Sequence, residues 1–360
     1  MGKITNRVSL QDVAKAVGVH VSTASLALRD DPRLTPETVR RVKDTAARLG
    51  YRANPLVSAW LRQVRQPEIA QAGVGLAFLL GTAVNPNVAA EPYYKILVDG
   101  AREEARALGY LITEIHFGLD EESRLLKAIA RLRYRGVRGV LIFDPEEILP
   151  AAVVRELETD FAVVVLLRCG GANRFHRVGT DIVANVTLAL GKLRELGCRR
   201  IAYPIHPSQA QRVRKDALAA YLWQQQLWPK RERLPLPDEI IEHTPERFVA
   251  WMDLKRPDAV LSVNYSLYPV LREAGWRMPG DLIFAHLGTD ARPELVGINN
   301  RGFEVGKAAV FKLAGLVSGN RFGAPDVPLN TLVGGVWSEG TRPFPAAPVS
   351  ARVSAPELPR

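Results

Sequence analysis

Three hydroxyl side chains crowd the run Val21-Ser-Thr-Ala-Ser25: Ser22, Thr23 and Ser25. Short side chains let a backbone approach a nucleic-acid duplex closely. Hydroxyls bond phosphate oxygens, and a valine can meet a thymine methyl. The residue types that make or break bonds are not arranged to do so. The six histidines form no HExxH, and the two cysteines, Cys169 and Cys198, form no CxxC and cannot build a four-thiolate zinc site. No GxGxxG follows the first strand-like segment, and neither a Walker loop nor GxSxG occurs. Glu103-Glu104 and Glu121-Glu122 fall on helix surfaces, where solvated charge is expected. His116, His176, His206 and His286 fall near strand ends, where a structural role is favoured over a pocket role. The sequence therefore predicts binding rather than catalysis, with no metal and no cofactor.

The hydroxyl run needs a helix to present it, and its surroundings supply three. Ser9 is placed to cap a first helix, Leu10–Val17, with Asp12 three residues on. Leu10, Val13, Ala14 and Val17 form one apolar face, and Gly18 can end the helix in a sharp turn. A second helix, Val21–Leu28, would bury Ala24, Ala27 and Leu28 and expose Val21, Ser22, Thr23 and Ser25. A third opens at Thr35-Pro36-Glu37, with cap, proline at N1 and acid in the first turn, and runs to Leu49 before Gly50. This spacing predicts a helix-turn-helix, with a plain helical bundle as the alternative. Charge agrees. Residues 1–66 hold 12 Lys/Arg and five Asp/Glu, a net +7 out of +10 for the whole chain. A basic head on a nearly neutral body suggests a polyanionic partner; an ordinary solvated basic face is the alternative.

The head resembles the lactose-repressor (LacI/GalR) family of bacterial regulators. The text that carries the resemblance is Val8-Ser-Leu-Gln-Asp-Val-Ala-Lys-Ala-Val-Gly-Val-His-Val-Ser-Thr-Ala-Ser25, then Arg33-Leu-Thr-Pro-Glu-Thr-Val-Arg-Arg-Val42, then Leu49-Gly-Tyr-Arg-Ala-Asn-Pro55. The resemblance implies that Val21, Ser22 and Leu26 face base edges. It implies that Thr23, Ser25 and Thr35 bind phosphates, with Arg33 near a base or phosphate and Leu10, Gln11 and Arg29 also at the DNA. Leu26 departs from the arginine often found there, and a leucine cannot hydrogen-bond a guanine.

Residues 53–71 read as a linker between this head (1–52) and the body. The resemblance implies a hinge that becomes helical on operator DNA, pairs with its twin in a dimer and wedges an apolar side chain into the minor groove. Asn54 and Val57 belong to it, and the wedge falls on Trp60 or Leu61. Packing of Trp60 against the partner hinge or the body is the alternative.

The body, 72–340, alternates apolar strands with helices, which predicts parallel sheets covered on both faces. Strands are expected at Val74–Leu80, Leu111–His116, Val137–Phe143, Ala162–Leu167, Arg200–Tyr203, Ala259–Val263 and Leu282–Ala285. Helices are expected near Tyr94–Leu108, Glu122–Tyr134, Val183–Leu196, Val213–Leu227 and Phe248–Leu254. About 270 residues exceed one comfortable sheet, so two lobes are expected. The body also resembles the same family and its periplasmic sugar-binding relatives, through Gly179-Thr-Asp181, Leu193–Tyr203, Arg212-Val-Arg214, Arg256–Asn264, Gly297–Asn300 and Val305-Gly306. The implied fold is a two-lobed α/β periplasmic-binding-protein-like core joined by three crossovers. Lobe 1 covers about 72–180 and 299–325, lobe 2 about 181–298 and 326–340. An effector cleft is implied between them.

Cleft residues follow from the same resemblance. Arg212 and Asn264 match ligand-binding positions; a salt bridge and a turn are their respective alternatives. Asn85, Tyr93 and Tyr94 follow the first strand, and Asp181 marks the first crossover, with helix capping as its alternative. Gly288 replaces the usual ligand-binding aspartate, leaving Asp290 two residues on. Tyr265 stands where an aspartate is common.

Residues 341–360 are rich in Pro, Ala and Ser and are expected to form a flexible tail. No apolar run reaches the roughly 18 residues of a membrane span. The N-terminal residues show no secretion signal, so a cytosolic protein is expected. The favoured function is a dimeric repressor of pseudo-palindromic operator DNA, gated by a sugar or related metabolite. A regulator that has lost its small molecule and a solute-binding protein are the alternatives.

Overall fold

The computed structural model describes residues 10–28, 34–49, 75–81, 92–118, 120–143, 149–167, 174–205, 215–238 and 244–341. The chain divides into two units, Met1–Gly73 and Val74–Arg360.

The first unit holds three helices, α1 (Leu10–Val17), α2 (Val21–Ala27) and α3 (Pro36–Leu49). Their apolar faces meet in one small core of Val13, Ala14, Val17, Ala24, Ala27, Val42 and Ala46. Gly18 adopts φ +75°, and the Gly18 and Val19 amides donate to Lys15 O and Ala14 O at 3.3 and 3.0 Å. This paired bond set ends α1 and needs a left-handed residue. Thr35 caps α3 by accepting from the Thr38 amide at 3.3 Å. Arg41 on α3 donates to Val17 O at the end of α1, at 3.1 Å, where the last carbonyls of a helix lack partners. Two expectations need adjustment. Helix α2 ends at Ala27, one residue early, and Leu28 is its C-cap, only partly buried. The proposed Ser9 cap lies outside the described residues.

The second unit contains two sheets. Strands β1 (Gly75–Gly81), β2 (Leu111–Phe117), β3 (Gly139–Phe143), β4 (Ala162–Leu166) and β5 (His176–Thr180) join β10 (Asn330–Val333) in the order β10-β5-β4-β3-β1-β2, all parallel. Strands β6 (Ile201–Ala202), β7 (Ala259–Ser262), β8 (Ile283–His286) and β9 (Val296–Asn299) form the second sheet, with β11 (Val336–Ser338) antiparallel on β9. Helices α4 (Pro92–Ala107), α5 (Glu122–Tyr134), α6 (Ala151–Asp160), α7 (Ile182–Glu195), α8 (Lys215–Gln226), α9 (Pro245–Lys255), α10 (Leu267–Glu273) and α11 (Gly302–Ser318) cover them. Strand β1 shows why its sequence is a continuous apolar run. Ala77 and Leu79 enter a core with Leu125, Ile129 and Leu157, whereas Leu76, Phe78 and Leu80 enter another with Leu97, Ala309 and Leu313.

Three crossovers link the sheets, and they correct the expected lobe limits. The first runs from β5 to α7 and the second from β9 to α11. The third runs from β10 to β11, so 330–333 belong to the first sheet although 326–340 were expected in the second lobe. Strands β5, β9, β10 and β11 escaped the sequence pattern because each is short and carries polar or glycine residues. The antiparallel β11 is also a departure from an all-parallel expectation. Helices α6 and α10 were likewise not anticipated.

A chain of buried amides binds the crossovers together. Asn185 Nδ2 donates to Asn300 Oδ1 at 2.9 Å, and Asn185 Oδ1 accepts from the Gly335 amide at 2.7 Å. Asn300 Nδ2 donates to Leu287 O at 3.1 Å, and the Asp181 amide donates to Val333 O at 2.9 Å. Asn185 is 1% exposed, so these bonds replace water that cannot reach it.

Candidate nucleic-acid interface and effector cleft

In the head, α2 leaves Ser22 exposed and Thr23 partly exposed, as expected, whereas Val21 packs partly against the core. Ala24 and Ala27 are fully buried; Ser22 is exposed and Val21, Thr23 and Leu26 are partly exposed. The small buried alanines let α2 sit close on its neighbours, and the short outward side chains leave its backbone accessible. Gln11 on α1 and Thr35 at the start of α3 are exposed. The Thr35 hydroxyl caps its helix and lies 2.9 Å from Thr38 Oγ1. Lys15, Arg40, Lys43 and Arg48 are also exposed. Leu10 begins α1 and Ser25 lies within α2. Arg29, Arg33, Asn54, Val57, Trp60 and Leu61 lie outside the described residues.

One capping position went unmarked in the sequence. His20 is the N-cap of α2, with extended backbone at φ −69° and ψ 149°, and its Nδ1 accepts from the Ser22 amide at 3.3 Å. The same nitrogen lies 2.7 Å from Ser22 Oγ. Ser, Thr, Asp and Asn dominate this position, so a histidine there gives only a weak signal in sequence.

In the body, Tyr93 and Tyr94 occupy the first turn of α4. Tyr93 Oη lies 3.0 Å from Thr180 Oγ1 at the end of β5, and Tyr94 meets Phe143, at the end of β3, edge-on at 5.0 Å. The two tyrosines thus gather at the carboxyl ends of parallel strands, where open α/β sheets leave a crevice. On the second sheet, Asn264 and Tyr265 follow β7, and Gly288, Asp290 and Arg292 follow β8. The Tyr265 ring stacks on Tyr268, meets His286 edge-on and carries the Arg292 guanidinium 4.4 Å from its centroid.

The polar residues expected to hold a ligand make local bonds here. Asp290 accepts from the Gly302 amide at 2.9 Å and the Asn300 amide at 3.3 Å, so its carboxylate sits at the start of α11 across the second crossover. Burial pushes its pKa up from the ordinary carboxylate value, against the opposing effect of these amides. Asp181 Oδ1 accepts from the Ala184 amide at 3.0 Å and caps α7. Asn264 Oδ1 accepts from the Ser266 amide at 2.9 Å and shapes a turn. A Cβ at Gly302 would come within 3.0 Å of the Tyr93 ring and 3.1 Å of Asp290 Oδ2, which places these two residues around one helix start. Asn85 and Arg212 lie outside the described residues. So do Cys169 and His206. Cys198 is buried, and burial pushes its thiol up to about 12, leaving it protonated and inert.

Among the described residues, no group of three or more His, Cys, Asp or Glu is placed to hold a metal ion, and no helix is long and apolar enough to cross a membrane.

Residues 9–54 match the family of bacterial regulatory proteins, lacI family. The chain is 33% identical over 136 residues to the maltose regulon regulatory protein MalI of Escherichia coli (strain K12), a match covering 38% of this chain and 35% of that protein. It therefore spans about a third of that relative's length. Similar solved structures include the transcriptional regulator CelR–cellobiose complex, with TM-score 0.56 and 20% identity over 93% of this chain and 99% of that one. The lac repressor dimer bound to operator and the anti-inducer ONPF gives 0.55 and 18% over 93% and 98%. At these identities the structures bear on the fold, and the fold they share is the two-sheet core with an N-terminal helix-turn-helix domain.

Proposed function

We propose that this chain, which belongs to the lacI family of bacterial regulatory proteins, is a cytoplasmic, non-enzymatic, dimeric repressor. It binds a specific operator through the head and is gated by a small molecule held between the lobes of the body. The observation that carries the reading is the head itself: a helix that buries Ala24 and Ala27 and leaves Ser22, Thr23 and Leu26 wholly or partly exposed, within a strongly basic segment. One such helix reads only a few base pairs, so a dimer on a pseudo-palindrome supplies the rest. The operator in the lac repressor structure and the cellobiose in the CelR structure support the same assignment of roles. Effector control needs differential affinity of the ligand for two lobe arrangements, and DNA affinity follows by linkage.

A second reading draws on the body. Asp181, Asn264 and Asp290 bond to backbone amides within the fold, which favours a regulator whose core no longer takes the usual sugar.

Fluorescence anisotropy of the full-length protein on duplexes enriched from a random pool tests the reading. Specific binding should weaken steeply with salt, as expected for roughly 6–10 phosphate contacts. A thermal-shift screen of sugars, nucleosides and organic acids, repeated with the enriched duplex, separates the two readings of the body. Failure to prefer any duplex over random DNA would reject the regulator assignment.

A further inference from the structure

His176 closes the first rung between strands β5 and β10. Pro328 has no N–H, so the Leu329 amide is the first donor this end of β10 offers. It donates to His176 Nδ1 at 3.0 Å, and the Leu329 carbonyl accepts from the Arg177 amide at 2.9 Å. A backbone N–H can only donate, and among the described residues no other donor bonds that nitrogen. Nδ1 therefore carries its lone pair, and the ring is neutral with its proton on Nε2.

Strand β10 has little else to hold it. It lies at the edge of the first sheet, and among the described residues β5 is its one partner strand. Leu329, Asn330, Thr331 and Leu332 are exposed, so burial contributes little and the strand depends on its bonds to β5. It leads directly through Gly334-Gly335 into β11, so it is the first-sheet anchor of the third crossover. His176 by contrast is 8% exposed, and its packing keeps the ring where it is.

We infer that His176 is an acid-sensitive latch on the third crossover: neutral, it holds the Leu329 amide and with it the start of β10; protonated, it turns a donor toward that amide and releases the strand from β5. Protonation puts an N–H on both ring nitrogens, so Nδ1–H meets the Leu329 N–H donor against donor. The charged groups around the ring are cations. Arg177 is the next residue on β5 and reaches Asn330 Oδ1 at 3.1 Å; Lys312 lies on α11 and Arg321 just beyond it. Burial first, and then the charges of Lys312 and Arg321, hold the His176 pKa below its ordinary 6.5. The folded chain thus prefers the neutral ring. The latch is complete above 6.5 and is lost as pH falls through the lowered value.

The test is hydrogen–deuterium exchange of the full-length protein, read by mass spectrometry on peptides covering 329–333 and corrected for the intrinsic pH dependence of exchange. Wild type, His176→Asn and His176→Leu are compared at about pH 8 and about pH 4.5, on either side of the imidazole range. Wild-type protection of 329–333 should fall roughly tenfold at the acid pH, the scale of one lost bond to a buried partner. His176→Asn puts a carbonyl oxygen in the place of Nδ1 and cannot titrate, so it should hold its protection within about twofold. His176→Leu has no acceptor and should exchange fast at both pH values. Peptides from β4, in the middle of the sheet, report whether the whole body opens.

Unchanged wild-type protection across this span overturns the latch. So does an equal loss in wild type and His176→Asn, which would be general acid unfolding and would appear in β4 as well. A His176→Asn strand already unprotected at about pH 8 also counts against it, because a fixed acceptor should suffice. If His176→Leu fails to fold, the difference between wild type and His176→Asn decides.

Discussion

Replacing Gly306 by alanine should destabilise the body, whereas the same replacement at Gly315 in the same helix should stabilise it. Both residues lie within α11. A Cβ at Gly306 would fall 2.0 Å from Leu97 O and 2.8 Å from Ala101 N, both backbone atoms of α4. The reverse contact holds at Gly100 of α4, where a Cβ would meet Phe303 O at 2.1 Å. The two helices therefore cross backbone against backbone, and no side chain can rotate away to make room. Carbon and carbonyl oxygen need about 3.3 Å, so the helices must part by roughly 1 Å. That separation loosens Leu97, Ala101, Val305 and Ala309, all fully buried at the crossing. Overpacking of this kind costs about 1–3 kcal/mol, and the gain in helix propensity from Gly to Ala returns about 1. A net loss of about 0–2 kcal/mol follows, near the upper end because the clash is with backbone atoms that cannot rotate away. At Gly315 a Cβ meets nothing within 4 Å, so only the propensity gain of about 0.5–1 kcal/mol remains. Urea unfolding of full-length protein, followed by far-UV circular dichroism, gives both differences. Equal midpoints for the two variants, or Gly306→Ala more stable than wild type, would refute the close-crossing argument.

Asn185→Leu should cost about 2–3 kcal/mol in the same assay, because the part-buried Gly335 amide and the buried Asn300 Oδ1 each lose a bond; a loss under about 0.5 kcal/mol would show that the crossovers do not depend on it. Burial holds the Asp290 pKa above its ordinary value of 3.8, so the native state keeps this proton to higher pH than the unfolded chain. Its favourable contribution is therefore full below 3.8 and is lost as pH rises through the raised value; the stability of wild type relative to Asp290→Asn should fall across that window, and a rise would contradict the sign. Trp60→Ala should weaken specific DNA binding more than nonspecific binding, by about 1–3 kcal/mol if Trp60 is the minor-groove wedge, with Leu61→Ala as the control for register; unchanged specific affinity and bending would make Trp60 a packing residue.

The three helices of the head were legible because the information that sets them is local. Apolar spacing in Leu10–Val17, a glycine that takes positive φ, and Thr35-Pro36-Glu37 at a helix start each act within one or two turns, and the structure uses Gly18 and Thr35 as their types suggested. The continuous apolar strands were legible for a similar reason: a strand buried on both faces has no polar position to hide it. What the sequence left open depends on partners far away in the chain. The short strand Asn330–Val333 carries no strong pattern, and only its pairing with His176–Thr180 puts it in the first sheet. Asp290 is another case: its carboxylate does not encode a partner 12 residues away, the Gly302 amide. The tertiary structure supplies that amide partner by bringing Gly302, from the far side of a crossover, to 2.9 Å from Asp290. The same holds at Gly100 and Gly306. Glycine in a helix reads locally as a cost in stability, and only the crossing of two helices more than 200 residues apart in sequence shows what that cost makes possible.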